Sequence, residues 1–198
     1  MKTFIKLFEK KENEFAKKFK KKGVTITVSG LSGAGKTTFA KILSEELNLK
    51  YFSSGEIFRK IAKKRKIPLE NFSEKREKEI DYKIEEETLK KAVRGSVVIE
   101  GRLSGWIAGK WADYKIFLDI PLKIRAERVA KRENLALKEA FKKIKKRDEE
   151  DRKKYLKIYN IDVLDTKIYD KIIGNMPFEK LRNEIGKIIK EMHVLGIL

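Results

Sequence analysis

The chain has 198 residues, enough for one α/β domain with a sizeable core and with little room for a second. Charged residues make up 40% of it, the net charge is +19 at pH 7, and it holds no cysteine, which excludes a disulfide framework and a thiolate metal site. There is no apolar run of about 18 residues and no charged n-region leading into an apolar stretch, so neither a membrane span nor a secretory signal is expected, and the cytoplasm is the simplest compartment. High Lys and Glu with no Gln at all is the composition of a hyperthermophile protein. The basic excess fits a nucleic-acid surface, or a thermophile surface around a phosphate site. Its spread along the whole chain favours the second.

Residues 1–22 form a basic, partly amphipathic segment. Phe4, Leu7, Phe8, Phe15 and Phe19 fall roughly on one helical face with Lys elsewhere, which predicts a helical extension. Such a helix either packs on the domain with its lysines solvated or serves a membrane surface, a nucleic acid or a partner. Val24 to Val28 is a β-branched run that reads as a buried strand.

Gly30, Leu31, Ser32, Gly33, Ala34, Gly35, Lys36 and Thr37 then match G-x-x-x-x-G-K-[ST] in full, and Thr38 follows. Backbone N–H groups in such a loop wrap a phosphate, Lys36 reaches the β- and γ-phosphates, and the Thr37 hydroxyl suits Mg²⁺. Apolar residues at Phe39, Ala40, Leu43 and Leu47 recur at helical spacing. Strand, loop and helix N-terminus together make an anion site.

Lys50 to Ser53 is a second strand. Ser54-Gly55 turns into a helix from Glu56 to about Lys66, which Ile67-Pro68 ends. Arg59 lies one helical turn beyond Gly55 and reads as a clamp on a second, acceptor phosphate. Asn71 to Val93 is helical and heavily charged. Ser96 to Glu100 is a third strand, ending in Glu100-Gly101-Arg102. An acidic residue there can hold Mg²⁺ through water, Gly101 permits close approach, and Arg102 projects over the acceptor. Tyr114 to Asp119 is a fourth strand, and Pro121 opens a helical stretch that divides near Asn134. Asp170 to Ile173 is a fifth strand, and Pro177 starts a last helix reaching about His193. Alternation of strands and helices predicts a five-stranded parallel sheet covered on both faces, with ligands beyond the carboxyl ends of the strands.

Only 11 of the 49 basic residues are Arg, and five of these fall between Arg125 and Arg152: Arg125, Arg128, Arg132, Arg147 and Arg152. Arg offers a planar fork for phosphate that Lys does not. Phosphoryl transfer depends on positioning and on neutralising charge, and mobile arginines closing over phosphates supply both. Trp106 reads as core packing or as a border of the acceptor pocket.

Taken in order, these motifs resemble the cytidylate kinases, in particular the short archaeal form: S-G-L-S-G-A-G-K-T-T, S-G-E-I-F-R, V-V-I-E-G-R-L-S-G-W, R-A-E-R-V-A-K-R-E, R-D-E-E-D-R-K-K-Y, then Y-N-I-D and I-Y-D-K-I-I. The resemblance runs from about Val24 to the C-terminus. It implies a three-layer α/β P-loop kinase fold, with residues 23–198 as one domain, an acceptor-binding insertion at about 56–93 and a lid at about 125–155. It implies that ATP with Mg²⁺ donates its γ-phosphate to CMP, and to dCMP. Gly30 to Thr38 would hold the donor, and Ser54, Gly55, Arg59, Gly101 and Arg102 the acceptor. Thr37 and Glu100 would serve the metal, and Lys36, Arg128, Arg132, Arg147 and Asp151 the transfer. The chain departs from the family at Lys154, where archaeal relatives often carry Arg and where Arg152 is the candidate substitute. It departs also in the loop Ala108 to Trp111 near the acceptor pocket, and in residues 1–22, which have no counterpart. The alternatives are a kinase for AMP, UMP, dTMP or shikimate, and a nucleotide-dependent RNA- or ribosome-binding module working through the basic N-terminus.

Overall fold

The computed structural model describes residues 2–66, 78–174 and 177–198, and of 2–7 and 178 the backbone alone. The expected helix start at Asn71, the stop at Ile67-Pro68 and the side chains of Phe4 and Leu7 lie outside the described residues. Helix α1 (Lys2–Lys18) precedes β1 (Thr25–Gly30), α2 (Lys36–Glu46), β2 (Lys50–Ser53) and α3 (Ser54–Lys64). Then come α4 (Lys78–Arg94), β3 (Val97–Glu100), the short α5 (Ser104–Ala108), β4 (Tyr114–Leu118), α6 (Leu122–Glu133), α7 (Leu137–Tyr159), β5 (Lys171–Ile173) and α8 (Leu181–Val194).

The five strands form one sheet in the order β2-β3-β1-β4-β5, every pair parallel, as the alternation of elements predicts. Period-2 alternation divides β1 between two layers. Ile26 and Val28 pack with Phe39 and Leu43 of α2 and with Ile185 and Ile188 of α8. On the opposite face Val97 and Ile99 of β3 pack with Ala92 of α4 and Ala108 of α5. All six residues of β1 are buried, as a central parallel strand requires. Val28 of β1 and Ser53 of β2 both stand opposite Glu100 of β3. This register brings the carboxyl ends of three strands, and the loops after them, to one place.

One local difference from the expected elements, and one expected division, have simple causes. Ser53 caps α3 by accepting from Glu56 N–H at 3.0 Å, so the helix starts at Ser54 and Gly55 lies in its first turn. Asn134 adopts a left-handed conformation and ends α6, which gives the division expected there.

Helix α1 packs on the face made by α4, α5 and α7, with Phe15 (5% exposed) against a cluster that includes Leu89, Ile107 and Tyr159. Burying one such side chain contributes about 1.5–3 kcal/mol. The pairs around it, Lys11–Glu86 at 3.0 Å and Lys110–Glu12 at 2.7 Å, are surface ion pairs worth about 0–1 kcal/mol each. Trp106 and Trp111 join this cluster, and Trp111 Nε1 donates to Glu12 at 2.8 Å. Trp106 is therefore packing, and the Ala108 to Trp111 loop meets α1 and not the cavity described next.

Candidate active site

A cavity of about 780 Å³ opens over the carboxyl ends of β1, β2 and β3. That lies within the roughly 300–1,000 Å³ of small-molecule sites. One side is the loop from Ser32 to Thr38. Its other side holds Ser54, Gly55 and Arg59 of α3 with Glu100, Gly101 and Arg102 after β3, and Arg128, Arg132 and Arg147 reach it from α6 and α7. Gly30 ends β1 and, with Leu31 and Asp151, is not among the cavity walls. A Cβ at Gly101 would run into the Ser54 hydroxyl, so glycine leaves the α3 N-terminus room to lie close against the end of β3.

Glu100 joins the two sides. Its Oε1 accepts from Thr37 Oγ1 at 3.2 Å, from Tyr51 OH at 3.3 Å and from Ser53 Oγ. Burial and this neighbouring carboxylate push the Tyr51 hydroxyl up to about 12, so it stays a donor. Lys36 Nζ donates to Leu31 O at 2.9 Å. Burial lowers the Lys36 pKa to about 8 with Arg102 and Arg147 adding to the effect, while Glu100 and Asp148 oppose it. A lysine held in this way is poised to take up a phosphate in place of a backbone carbonyl.

Asp151 (2% exposed) lies beneath the cavity wall, in an ion pair with Arg102 and 4.0 Å from Arg147 Nε. Burial works against the Arg102 charge, but Asp151, Tyr155 and Asp148 outweigh it and raise the guanidinium pKa above its ordinary value. Asp151 thus orients two cations that face the cavity. Arg128 Nη1 donates to Ala34 O at 3.0 Å, and burial lowers its pKa. Arg132 stands at the rim, paired with Glu133 at 2.5 Å.

Arg152 does not fill the place left by Lys154. It turns outward and forks onto Asp162 at 2.9 and 2.6 Å. Lys154 itself reaches from α7 to Asp81 of α4 at 3.2 Å. The cavity also takes in Phe58, Asp81, Ile84, Glu85 and Tyr155, none of which the sequence reading singled out. Asp81 and Glu85 are both buried one turn apart on α4, and the helical spacing of the apolar Ile80, Ile84, Leu89 and Ala92, which brackets them, was the signal that would have placed them inward. No group of three or more His, Cys, Asp or Glu side chains suited to a metal occurs among the described residues, and no helix among them is long and apolar enough to cross a membrane.

The model of the cytidylate kinase-like family matches residues 25–176. A cytidylate kinase from Pyrococcus horikoshii is 48% identical over 153 residues, covering 76% of this chain and 79% of that protein. The cytidylate kinase of Methanocaldococcus jannaschii is 43% identical, covering 78% and 89%. Among solved structures, a shikimate kinase from Acinetobacter baumannii in complex with shikimate superposes with a TM-score of 0.56 at 18% identity, over 91% of this chain and 97% of that one. The last likeness bears on the fold alone. From the family match and the archaeal relatives together, the chain belongs to the cytidylate kinase-like family.

Proposed function

We propose that the protein transfers the γ-phosphate of ATP to CMP, and to dCMP, giving ADP and CDP or dCDP. The observation that carries this reading is a single cavity with a Lys36 donor loop on one side and Arg59 with Arg102 on the other, bridged by Glu100, in a chain of this family. Residues 23–198 are the catalytic unit and residues 1–22 an N-terminal extension, of which Phe8 and Phe15 pack on that unit. No observation favours the RNA-binding alternative, and Phe8 and Phe15 of α1 pack on the domain.

Mg²⁺ fits the oxygens present. Thr37 and Glu100 offer a hydroxyl and a carboxylate in contact, hard donors of the kind Mg²⁺ takes when phosphates and water complete its shell. When bound, it supplies neutralisation across the β- and γ-phosphates. The chain's own groups do the rest. Arg59 and Arg102 grip the acceptor phosphate so that one of its oxygens lies in line with the γ-phosphorus. A P–O bond to that oxygen forms, the bond to the β–γ bridging oxygen breaks, and ADP departs. Lys36, Arg128, Arg132 and Arg147 meet the charge that spreads over the transferring oxygens, and closure of α6 and α7 keeps water out.

Asp81 and Glu85 add carboxylate acceptors at the acceptor end. Cytosine presents an amino group to them, whereas uracil presents a carbonyl oxygen that a carboxylate repels. Glu85→Gln is expected to narrow the CMP-to-UMP ratio of kcat/KM by about tenfold or more, because the amide donates to the uracil carbonyl. An unchanged ratio would remove Glu85 from base recognition. A bisubstrate analogue, adenosine and cytidine joined by a polyphosphate chain, is expected to compete with both ATP and CMP. Competition with only one of them would overturn the single-cavity reading.

A further inference from the structure

Two side chains outside the phosphate-facing set converge on the donor loop. Arg125, in the first turn of α6, is 5% exposed, and its fork is anchored on three oxygens. Nε donates to Ile120 O at 2.8 Å, and Nη1 donates to Ser32 O at 2.9 Å and to Asp148 Oδ2 at 2.5 Å. Asp148, beside Arg147 on α7, in turn accepts from Ser32 N–H through Oδ1 at 3.2 Å. One ion pair, with a member from each of α6 and α7, therefore holds both backbone groups of a single loop residue.

The consequence follows from peptide geometry. In a trans peptide the C=O and N–H point opposite ways, and every peptide described here is trans. The Leu31–Ser32 peptide turns its C=O inward, where Lys36 Nζ donates to it, and its N–H outward to Asp148. The Ser32–Gly33 peptide turns its C=O outward to Arg125, so the Gly33 N–H points back to the Lys36 side. Gly33 has φ 76°, and a Cβ there would sit 2.8 Å from Arg125 O, so the loop lies flush against α6.

We infer that Arg125 and Asp148 are positioning residues for the donor site: the pair fixes the alternation of loop peptides that aims the Gly33 N–H at the donor phosphates, and ties that alternation to the helix carrying Arg147. The inference rests on the donor assignment proposed above. Neither side chain needs to touch the nucleotide. Lys at position 125 keeps the charge but lacks a fork that reaches three acceptors.

The test compares wild type with Arg125→Met, Arg125→Lys, Asp148→Asn and the Met/Asn double variant, at a temperature where circular dichroism shows each to be folded. Binding of a non-hydrolysable ATP analogue with Mg²⁺ is measured by calorimetry, and KM is measured for ATP and for CMP. Arg125→Met is expected to raise the analogue Kd and the ATP KM by about 10- to 100-fold, as expected of a sub-ångström misplacement of donor groups. The CMP KM should stay within about twofold, Arg125→Lys should recover only part of the loss, and the double variant should be no worse than the worse single one. Should Arg125→Met not fold, Arg125→Lys and Asp148→Asn carry the comparison. Analogue Kd values within about twofold of wild type in the single variants, with only the melting temperature lowered, would make the pair a fold-holding contact and overturn the inference. A wild type that itself fails to bind the analogue would overturn the donor assignment instead.

Discussion

Lys36→Ala is expected to leave a folded protein whose kcat with ATP and CMP is lower by about 10²–10³-fold, the usual cost of removing one preorganised charge from the developing transition state. Its amine is interior, where it donates to Leu31 O at 2.9 Å, and the half-buried guanidiniums of Arg102 and Arg147 share its cavity wall. Loss of activity should come without loss of stability. The Lys36 pKa is lowered from 10.5 to about 8 on folding, chiefly by burial. A depressed lysine binds fewer protons folded than unfolded between those values, so its charge costs stability below about pH 8, and the cost fades as pH rises towards 10.5. Lys36→Ala is therefore expected to melt no lower than wild type at pH 7. In the wild type, ATP phosphates restore the charged form, so ATP binding should take up a proton above about pH 8 and weaken as pH rises further. Calorimetry in buffers of different ionisation enthalpy reads that proton directly. Near-normal turnover in Lys36→Ala would remove the loop from the chemistry.

Arg102→Met should damage both acceptor use and the fold. Arg102 faces the cavity on one side and pairs with the buried Asp151 on the other. Removing it takes away one of two arginines proposed for the acceptor phosphate, and kcat/KM for CMP should fall by about 10²–10³-fold while ATP binding stays close to wild type. Breaking a buried pair from one side typically costs about 3–5 kcal/mol. Asp151 keeps Arg147 at 4.0 Å, which softens that cost. Asp151→Asn separates the two effects, since it leaves the Arg102 fork in the cavity while removing its counter-charge. If Arg102→Met bound CMP normally but lost ATP, the two ends of the cavity would have to be exchanged.

The parts of this site that were legible in the sequence are those carried by contiguous residues. The donor loop sits between a β-branched strand and a helix, so a single stretch states both its chemistry and its position. Glu100-Gly101-Arg102 was readable for the same reason, because a buried strand end puts the next residues at the ligand. Asp81 and Glu85 were not readable, and Arg125 was read only as one of five arginines suited to phosphate and not as the partner of Ser32 and Asp148, because their meaning depends on how α4, α6 and α7 lie against one another. In α7, 23 residues long, charge dominates the pattern, and the sequence gives no way to tell Asp148 and Asp151, which turn inward, from Arg152, which turns out to Asp162. The loop Ala108 to Trp111 was expected near the acceptor and instead serves α1, a contact made with a segment 99 residues earlier in the case of Trp111 and Glu12.

The most direct single measurement is ADP formation from ATP and Mg²⁺ at elevated temperature, with CMP, dCMP, UMP, AMP, GMP, dTMP and shikimate supplied one at a time. Turnover confined to CMP and dCMP is the expected result. ATP binding without turnover on any of these acceptors would refute the kinase assignment, and turnover centred on a different acceptor would refute the proposed base pocket.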